Sequence, residues 1–231
     1  MILHTERLIL RPWTEDDAES LYEYAKDPEV GPIAGWPPHK SIEESKDVIK
    51  NVLAVEESYA ICEKDSNRAI GAIALKLNGH TDMTERDDEC ELGYWIGKPY
   101  WGRGYMPEAA KELLRHGFED LGMTTIWCGY YDGNSKSKRV QEKVGFEYHH
   151  TCNDVPVTLL NEIRVGHTNV MTKEHADKYA DYNKVIIVGH GMAFRVLKYI
   201  KNIAPGEIVE CQYIRGQEDC EYAFNSKIKF R

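Results

Sequence analysis

Apolar positions along the chain fall into short runs of period two and longer stretches of period near 3.6, in alternation. The first kind predicts strands and the second amphipathic helices. Residues 8–13, Leu-Ile-Leu-Arg-Pro-Trp, form a short predicted strand closed by proline. Thr14 then caps a helix with acids in its first turn and Ala18, Leu21, Tyr22 and Ala25 on its buried side. Residues 31–39 hold Pro32, Trp36, Pro37 and Pro38 and predict irregular chain. Ser41-Ile42-Glu43-Glu44 is a capping box that opens a helix running to about Glu56. Two apolar runs, 59–63 and 69–77, flank Asp65-Ser66-Asn67 as the arms of a hairpin, and 79–88 is a polar connection.

The stretch 89–122 carries the most information. Apolar residues crowd positions 92–96, the turn Pro99-Tyr100-Trp101-Gly102-Arg103-Gly104 follows, and Pro107 stands where the first helical turn begins. Ala110, Leu113, Leu114, Gly117, Phe118 and Leu121 then line one helical face, with Arg115 and His116 on the outer one, and Gly122 caps the end. A helix opening from a glycine turn directs unpaired N–H groups and the positive end of its dipole at one point, which suits a phosphate or pyrophosphate. Further on, 124–131 is a strand, Asn134-Ser135-Lys136-Ser137 opens a helix ending at Gly145, and 146–152 and 163–171 are two more strands. The tail has its own pattern: a buried strand at 184–191, a helix through Val196, Leu197 and Ile200, and strand-like runs at 208–213 and 222–230.

Composition narrows the function classes. The 231 residues carry a formal net charge of −9, so direct binding to nucleic acid is not expected. An acidic surface suits a cationic substrate such as an amine, and it also serves solubility alone. Hydrophobic content of 42% supports a real core. Cys62, Cys90, Cys128, Cys152, Cys211 and Cys220 show no zinc-ligand spacing, so no metal is expected. No apolar run reaches the ~20 residues of a membrane-spanning helix and no signal peptide precedes the first strand. These features predict free thiols in the cytoplasm and no membrane partner.

Trp101-Gly102-Arg103-Gly104-Tyr105-Met106 resembles the pyrophosphate loop of the GCN5-related N-acetyltransferases, with Trp101 in place of Gln or Arg and Met106 in place of a small residue. Both departures are similar to those of the ribosomal-protein N-terminal acetyltransferase branch (RimJ/RimL-like), as is the opening Thr5-Glu6-Arg7-Leu8-x-Leu10-Arg11. Asn134-x-x-Ser137-x-x-Val140-x-x-Lys143-x-Gly145-Phe146 resembles the same family, and the two motifs together are more specific than either part. The resemblance implies an α+β fold for residues 1–173, with a mixed, mostly antiparallel splayed sheet flanked by helices. Residues 174–231 would be a small α/β appendage that resembles an incomplete histidine phosphatase, with His190 and Arg195 in comparable places. Arg115-His116-Gly117 spells the other motif of that family, but it lies inside a helix and is coincidental.

The family implies acetyl-CoA as the donor and a primary amine as the acceptor, either a protein N-terminus or a small molecule; a homodimer is allowed. It also implies a ternary complex with direct attack. Trp95, Ile96, Trp101, Gly102, Arg103, Gly104, Tyr105, Met106 and Asn134 would hold the donor. Glu91 shares one strand face with Glu89 and is the preferred general base, with Asp154 and Glu162 in reserve. A structural ion pair is the competing account of Glu91. Ser137 would hydrogen-bond the leaving sulfur, or else cap its helix beside Asn134. Trp36 would frame the acceptor or plug a core edge, and Cys128 would be a buried inert thiol. Two other functions stay open at this point: a phosphohydrolase using His190, and a CoA-binding sensor without catalysis.

Overall fold

A computed structural model describes residues 1–182, and the first compact unit spans Met1–Ala176. The expectations for 184–230, including His190 and Arg195, lie outside the described residues.

One eight-stranded sheet runs through this unit in the order β1-β2-β3-β4-β5-β6-β8-β7. Its strands are β1 (Leu3–His4), β2 (Leu8–Arg11), β3 (Ser58–Glu63), β4 (Ala69–Lys76), β5 (Glu89–Ile96), β6 (Thr125–Tyr131), β7 (Glu147–Val157) and β8 (Glu162–Thr172). Every neighbouring pair is antiparallel except β5 and β6, which are parallel. The helices are α1 (Ala18–Ala25), α2 (Gly31–Ala34), α3 (Ile42–Val48), α4 (Tyr105–Arg115), α5 (Ser135–Val144) and α6 (Lys173–Tyr182). The fold is thus α+β, with a mixed sheet between helices, as the sequence predicts.

Period-two alternation on the central strands sorts the core into two layers. Ile61, Ile73, Leu75 and Leu92 pack with α4 through Ala109, Ala110, Leu113 and Leu114. The opposite face is built from the smaller Ala60, Cys62, Ala69 and Ala72, over which α1 and the region of α3 lay Leu21, Ala25 and Ile49. Burying each leucine of α4 contributes about 1.5–3 kcal/mol. That packing fixes where the N-terminal end of α4 points.

Several local expectations need correction. Residues 31–39 are not wholly irregular, because Gly31–Ala34 makes one α-helical turn with Pro32 in its first positions, where the missing N–H costs nothing. The helix opened by Ser41 stops short of Glu56: it becomes a π-turn at Ile49–Leu53, which Ala54 closes with a bond from its N–H to Ile49 O. His116 does not lie on an outer face. His116 itself keeps the α-helical pattern, its N–H bonding Glu112 O, and the helix widens into a π-turn only beyond it, where Leu121 N–H bonds His116 O. Fully buried, His116 bridges Asp120 (2.8 Å) and Glu57 (2.9 Å). Gly117 does face the core: a Cβ there would lie 2.9 Å from Ile126 Cδ1.

Candidate active site

Strands β5 and β6 pair only at Glu89 with Thr125, Cys90 with Ile126 and Glu91 with Trp127. Beyond that point they part. β5 continues to Ile96 along β4, and β6 continues to Tyr131 along β8. The sheet therefore forks, and the side of β5 facing β6 loses its ladder partner over its second half. Backbone N–H and C=O groups there need another partner, and an extended ligand with amide groups can supply it.

The fork opens into a cleft of about 1610 Å³. At one end lies the N-terminus of α4, whose capping residue Gly104 has φ +79° and whose first turn receives no side-chain cap. Gly102 has φ +75°, also in the left-handed region that favours glycine, and no atom lies within 4 Å of where its Cβ would be. Two left-handed glycines and an uncapped helix start leave open space lined by amides, which suits a pyrophosphate.

The loop is held from three sides. Trp101 donates its indole N–H to Ile96 O (2.9 Å), tying the turn to the end of β5, and Lys136 of α5 stands 4.3 Å over the Trp101 ring. Arg7 donates to Arg103 O (3.1 Å), and its guanidinium lies 4.4 Å over the Tyr105 ring. The same Arg7 bonds Glu108 through Nε (2.6 Å) and through its amide (2.8 Å), while the Thr5 hydroxyl donates to Glu108 at 2.6 Å. Burial works against the Glu108 carboxylate, but Thr5 and Arg7 outweigh it and hold its pKa below the ordinary value.

Trp95, Ile96, Trp101, Gly102, Gly104, Tyr105, Met106 and Asn134 all line the cleft. Arg103 does not; it is exposed, lies 5.7 Å over the Tyr100 ring and contributes its backbone to the loop. Asn134 caps α5 by accepting from Ser137 N–H at 3.1 Å. Ser137 lines the cleft too, with its hydroxyl 3.0 Å from Tyr94 Oη and accepting from Gln141 Nε2 at 3.2 Å. Gln141 is wholly buried; it also donates to Gly129 O (3.2 Å) and accepts from Asn169 (2.8 Å). Burial, and then the nearby Cys128, keep the Tyr94 phenol well above its ordinary pKa, so it remains a donor.

Glu91 stands at the base of the fork, lines the cleft and is buried. Its carboxylate accepts from Lys76 Nζ (2.7 Å) and from the Thr81 hydroxyl (2.6 Å). The ion pair weighed in the sequence exists, and it stands inside the cleft. Asp154 and Glu162 do not line the cleft, and Glu162 is paired with Arg164. Trp36 lines the cleft, packs on the second core layer and makes an edge contact with Trp95 at 5.6 Å. Cys128 is buried, and desolvation pushes its thiol well above the ordinary value. Among the described residues Cys62, Cys90, Cys128 and Cys152 are free thiols.

Sequence reasoning missed Tyr94 as a hydroxyl partner, Gln141, Lys76 and Lys136. Gln141 had a signal: four residues after Ser137 and flanked by Val140 and Val144, it is a polar residue on an apolar stripe. Lys76 had none, because its position opposite Glu91 depends on hairpin register.

A forked mixed sheet with a left-handed glycine loop at its mouth has room for a pyrophosphate-bearing ligand along a strand. A family model described as "Acetyltransferase (GNAT) domain" matches residues 7–147, and the chain belongs to that family of N-acetyltransferases, whose members use acetyl-CoA. It is similar to an uncharacterized N-acetyltransferase, p20, of Bacillus licheniformis, at 28% identity over 150 residues, covering 63% of this chain and 82% of the relative. The fold is shared with a GNAT-family acetyltransferase of Bacillus anthracis (TM-score 0.66, 23% identity, 75% of this chain and 99% of the other). It is also shared with the ribosomal-protein-S5-alanine acetyltransferase of Vibrio fischeri (TM-score 0.59, 17% identity, 75% and 97%). No helix among the described residues is long and apolar enough to cross a membrane.

Proposed function

We propose that this enzyme moves the acetyl group of acetyl-CoA to the N-terminal amine of a protein, as a cytoplasmic member of the RimJ/RimL-like branch. The observation that carries the reading is the fork beyond Glu91 and Trp127, leading to the uncapped start of α4 at Gly104. The Trp101-Gly102-Arg103-Gly104-Tyr105 loop and Ser137 fit that branch, and a structural neighbour bears the name of a ribosomal-protein acetyltransferase.

Acetyl-CoA supplies the activated acyl group and a leaving thiolate. Amides of the 102–106 loop and the dipole of α4 receive the pyrophosphate, and Lys136 adds a positive charge beside Trp101. Backbone groups of Tyr94 and the N–H of Ile96, which alternate with those bonded to β4, pair with the pantetheine arm along the unpaired edge of β5, while Trp101 holds Ile96 O. Glu91 takes the proton from the acceptor ammonium once Lys76 yields its place. Gln141 Nε2 donates to the Ser137 hydroxyl oxygen, which lets the hydroxyl proton turn from Tyr94 Oη, 3.0 Å away, to the leaving sulfur. A serine at ordinary pKa serves as hydrogen-bond donor there rather than as acid.

The test is release of CoA thiol from acetyl-CoA against a panel of ribosomal-protein N-terminal peptides, polyamines and aminoglycosides. The proposal expects turnover with peptides. Turnover confined to polyamines or aminoglycosides would contradict the branch, and turnover unchanged in both Glu91→Ala and Ser137→Ala would contradict the residue roles.

A further inference from the structure

The candidate base is already occupied by an amine that belongs to the chain itself. Lys76 is the last residue of β4 and pairs across the strands with Glu91, the last residue of β5 before the fork. Its ammonium lies 2.7 Å from Glu91 Oε1 and its side chain remains 44% exposed, within the cleft. Gly93 makes this possible. It is the next residue of β5 on that face, and a Cβ there would come within 3.0 Å of Lys76 Cε and 3.5 Å of Nζ. The stem of Lys76 thus crosses β5 just beyond the fork, in space that a side chain at position 93 would take. Thr81 fills the other oxygen of Glu91 (2.6 Å), so the carboxylate is held with one face toward the lysine.

We propose that Lys76 is an acetylation site of the enzyme itself, modified in cis by acetyl-CoA bound in the same cleft. This rests on the acetyl-CoA reading of the site. Glu91 removes one proton from the Lys76 ammonium, and the freed Nζ pair forms a bond to the thioester carbonyl carbon. The carbon–sulfur bond breaks, CoA leaves as thiolate, and the second nitrogen proton neutralises it. The net change is one lysine ammonium and one acetyl-CoA to one acetyl-lysine, one CoA thiol and one proton released to solvent. Acetyl-Lys76 carries no charge, which frees Glu91 for an external amine. Holding the amine against its base in the donor's cleft replaces a bimolecular encounter by an intramolecular one.

The experiment incubates the full chain with acetyl-CoA and follows acetylation of Lys76, Lys50 and Lys111 by peptide mass spectrometry, with donor binding measured in parallel by calorimetry. Lys50 and Lys111 are exposed and report uncatalysed acetylation. The expected result is Lys76 modified at least about tenfold faster than either, with a rate constant independent of protein concentration. Glu91→Gln should bring Lys76 down to the rate of Lys50, and Gly93→Ala, which displaces the lysine stem, should slow it as well. Donor binding with Lys76 no faster than the surface lysines would overturn the inference alone, as would a rate proportional to enzyme concentration. Absence of donor binding would overturn the acetyl-CoA reading together with it.

Discussion

Replacing Gly104 by alanine isolates the backbone contribution of the pyrophosphate loop. Gly104 sits at φ +79°, and the atom nearest to a new Cβ is Arg7 Nη2 at 3.5 Å, an ordinary contact. Steric overlap therefore adds nothing, and the cost is that of a left-handed L-residue, about 1–2 kcal/mol. Gly102 is a control of the same kind, with φ +75° and nothing within 4 Å. If the free protein keeps the loop as it stands, the whole strain appears as lost stability and donor affinity is unchanged. If the loop relaxes, stability recovers and the strain is met on binding, at about tenfold in Kd for each ~1.4 kcal/mol. In either case the two losses sum to about 1–2 kcal/mol, and denaturant unfolding of free and CoA-saturated protein measures that sum directly. A sum below about 0.5 kcal/mol for both variants would refute the left-handed loop.

Other substitutions test the supports of the site. Because Glu108 has a pKa held below its ordinary 4.5, its contribution to stability is fully present above that pH and is lost as pH falls through the folded value. Urea midpoints taken from neutral pH downward should show a smaller acid loss in Glu108→Gln than in the parent protein. Gly117→Val pushes a side chain against Ile126 and Leu75, whose Cδ1 atoms would lie 2.9 and 3.1 Å from the new Cβ. It should cost about 1–3 kcal/mol, read as a lowered denaturant midpoint, with activity per folded molecule retained. Gln141→Leu removes the donor to Ser137 and Gly129 and strands the buried Asn169 amide. Stability should fall by about 1–3 kcal/mol, and kcat should drop with KM for acetyl-CoA nearly unchanged.

The part of the fold that builds the glycine loop and the start of α4 was legible because its signals are local. Period two over β5, two glycines, Pro107 and period 3.6 over α4 follow one another without interruption, and the Asn134 cap announces α5 in the same way. His116 was misplaced because it lies at the margin of the apolar stripe, three residues after the buried Leu113, and Glu57, which holds one of its ring nitrogens, comes from a remote part of the chain. The β7–β8 hairpin was drawn too short, since β7 is an exposed edge strand whose Glu-Tyr-His-His-Thr-Cys-Asn-Asp sequence has no apolar face to mark its length. Glu91 was found, but its partner was not. The Lys76 pairing crosses a polar connection whose length leaves register undetermined, and register is set by the packed strand faces.

The central claim is that the fork between β5 and β6, with the Gly102 and Gly104 turn at its mouth, holds acetyl-CoA. Isothermal titration of acetyl-CoA into the full chain, and into a variant carrying Gly102→Val and Gly104→Val, tests it most directly. The account predicts one saturable site in the parent protein and its loss in a variant that still unfolds cooperatively. No heat of binding in the parent protein at high ligand excess, or equal affinity in the two proteins, would contradict it.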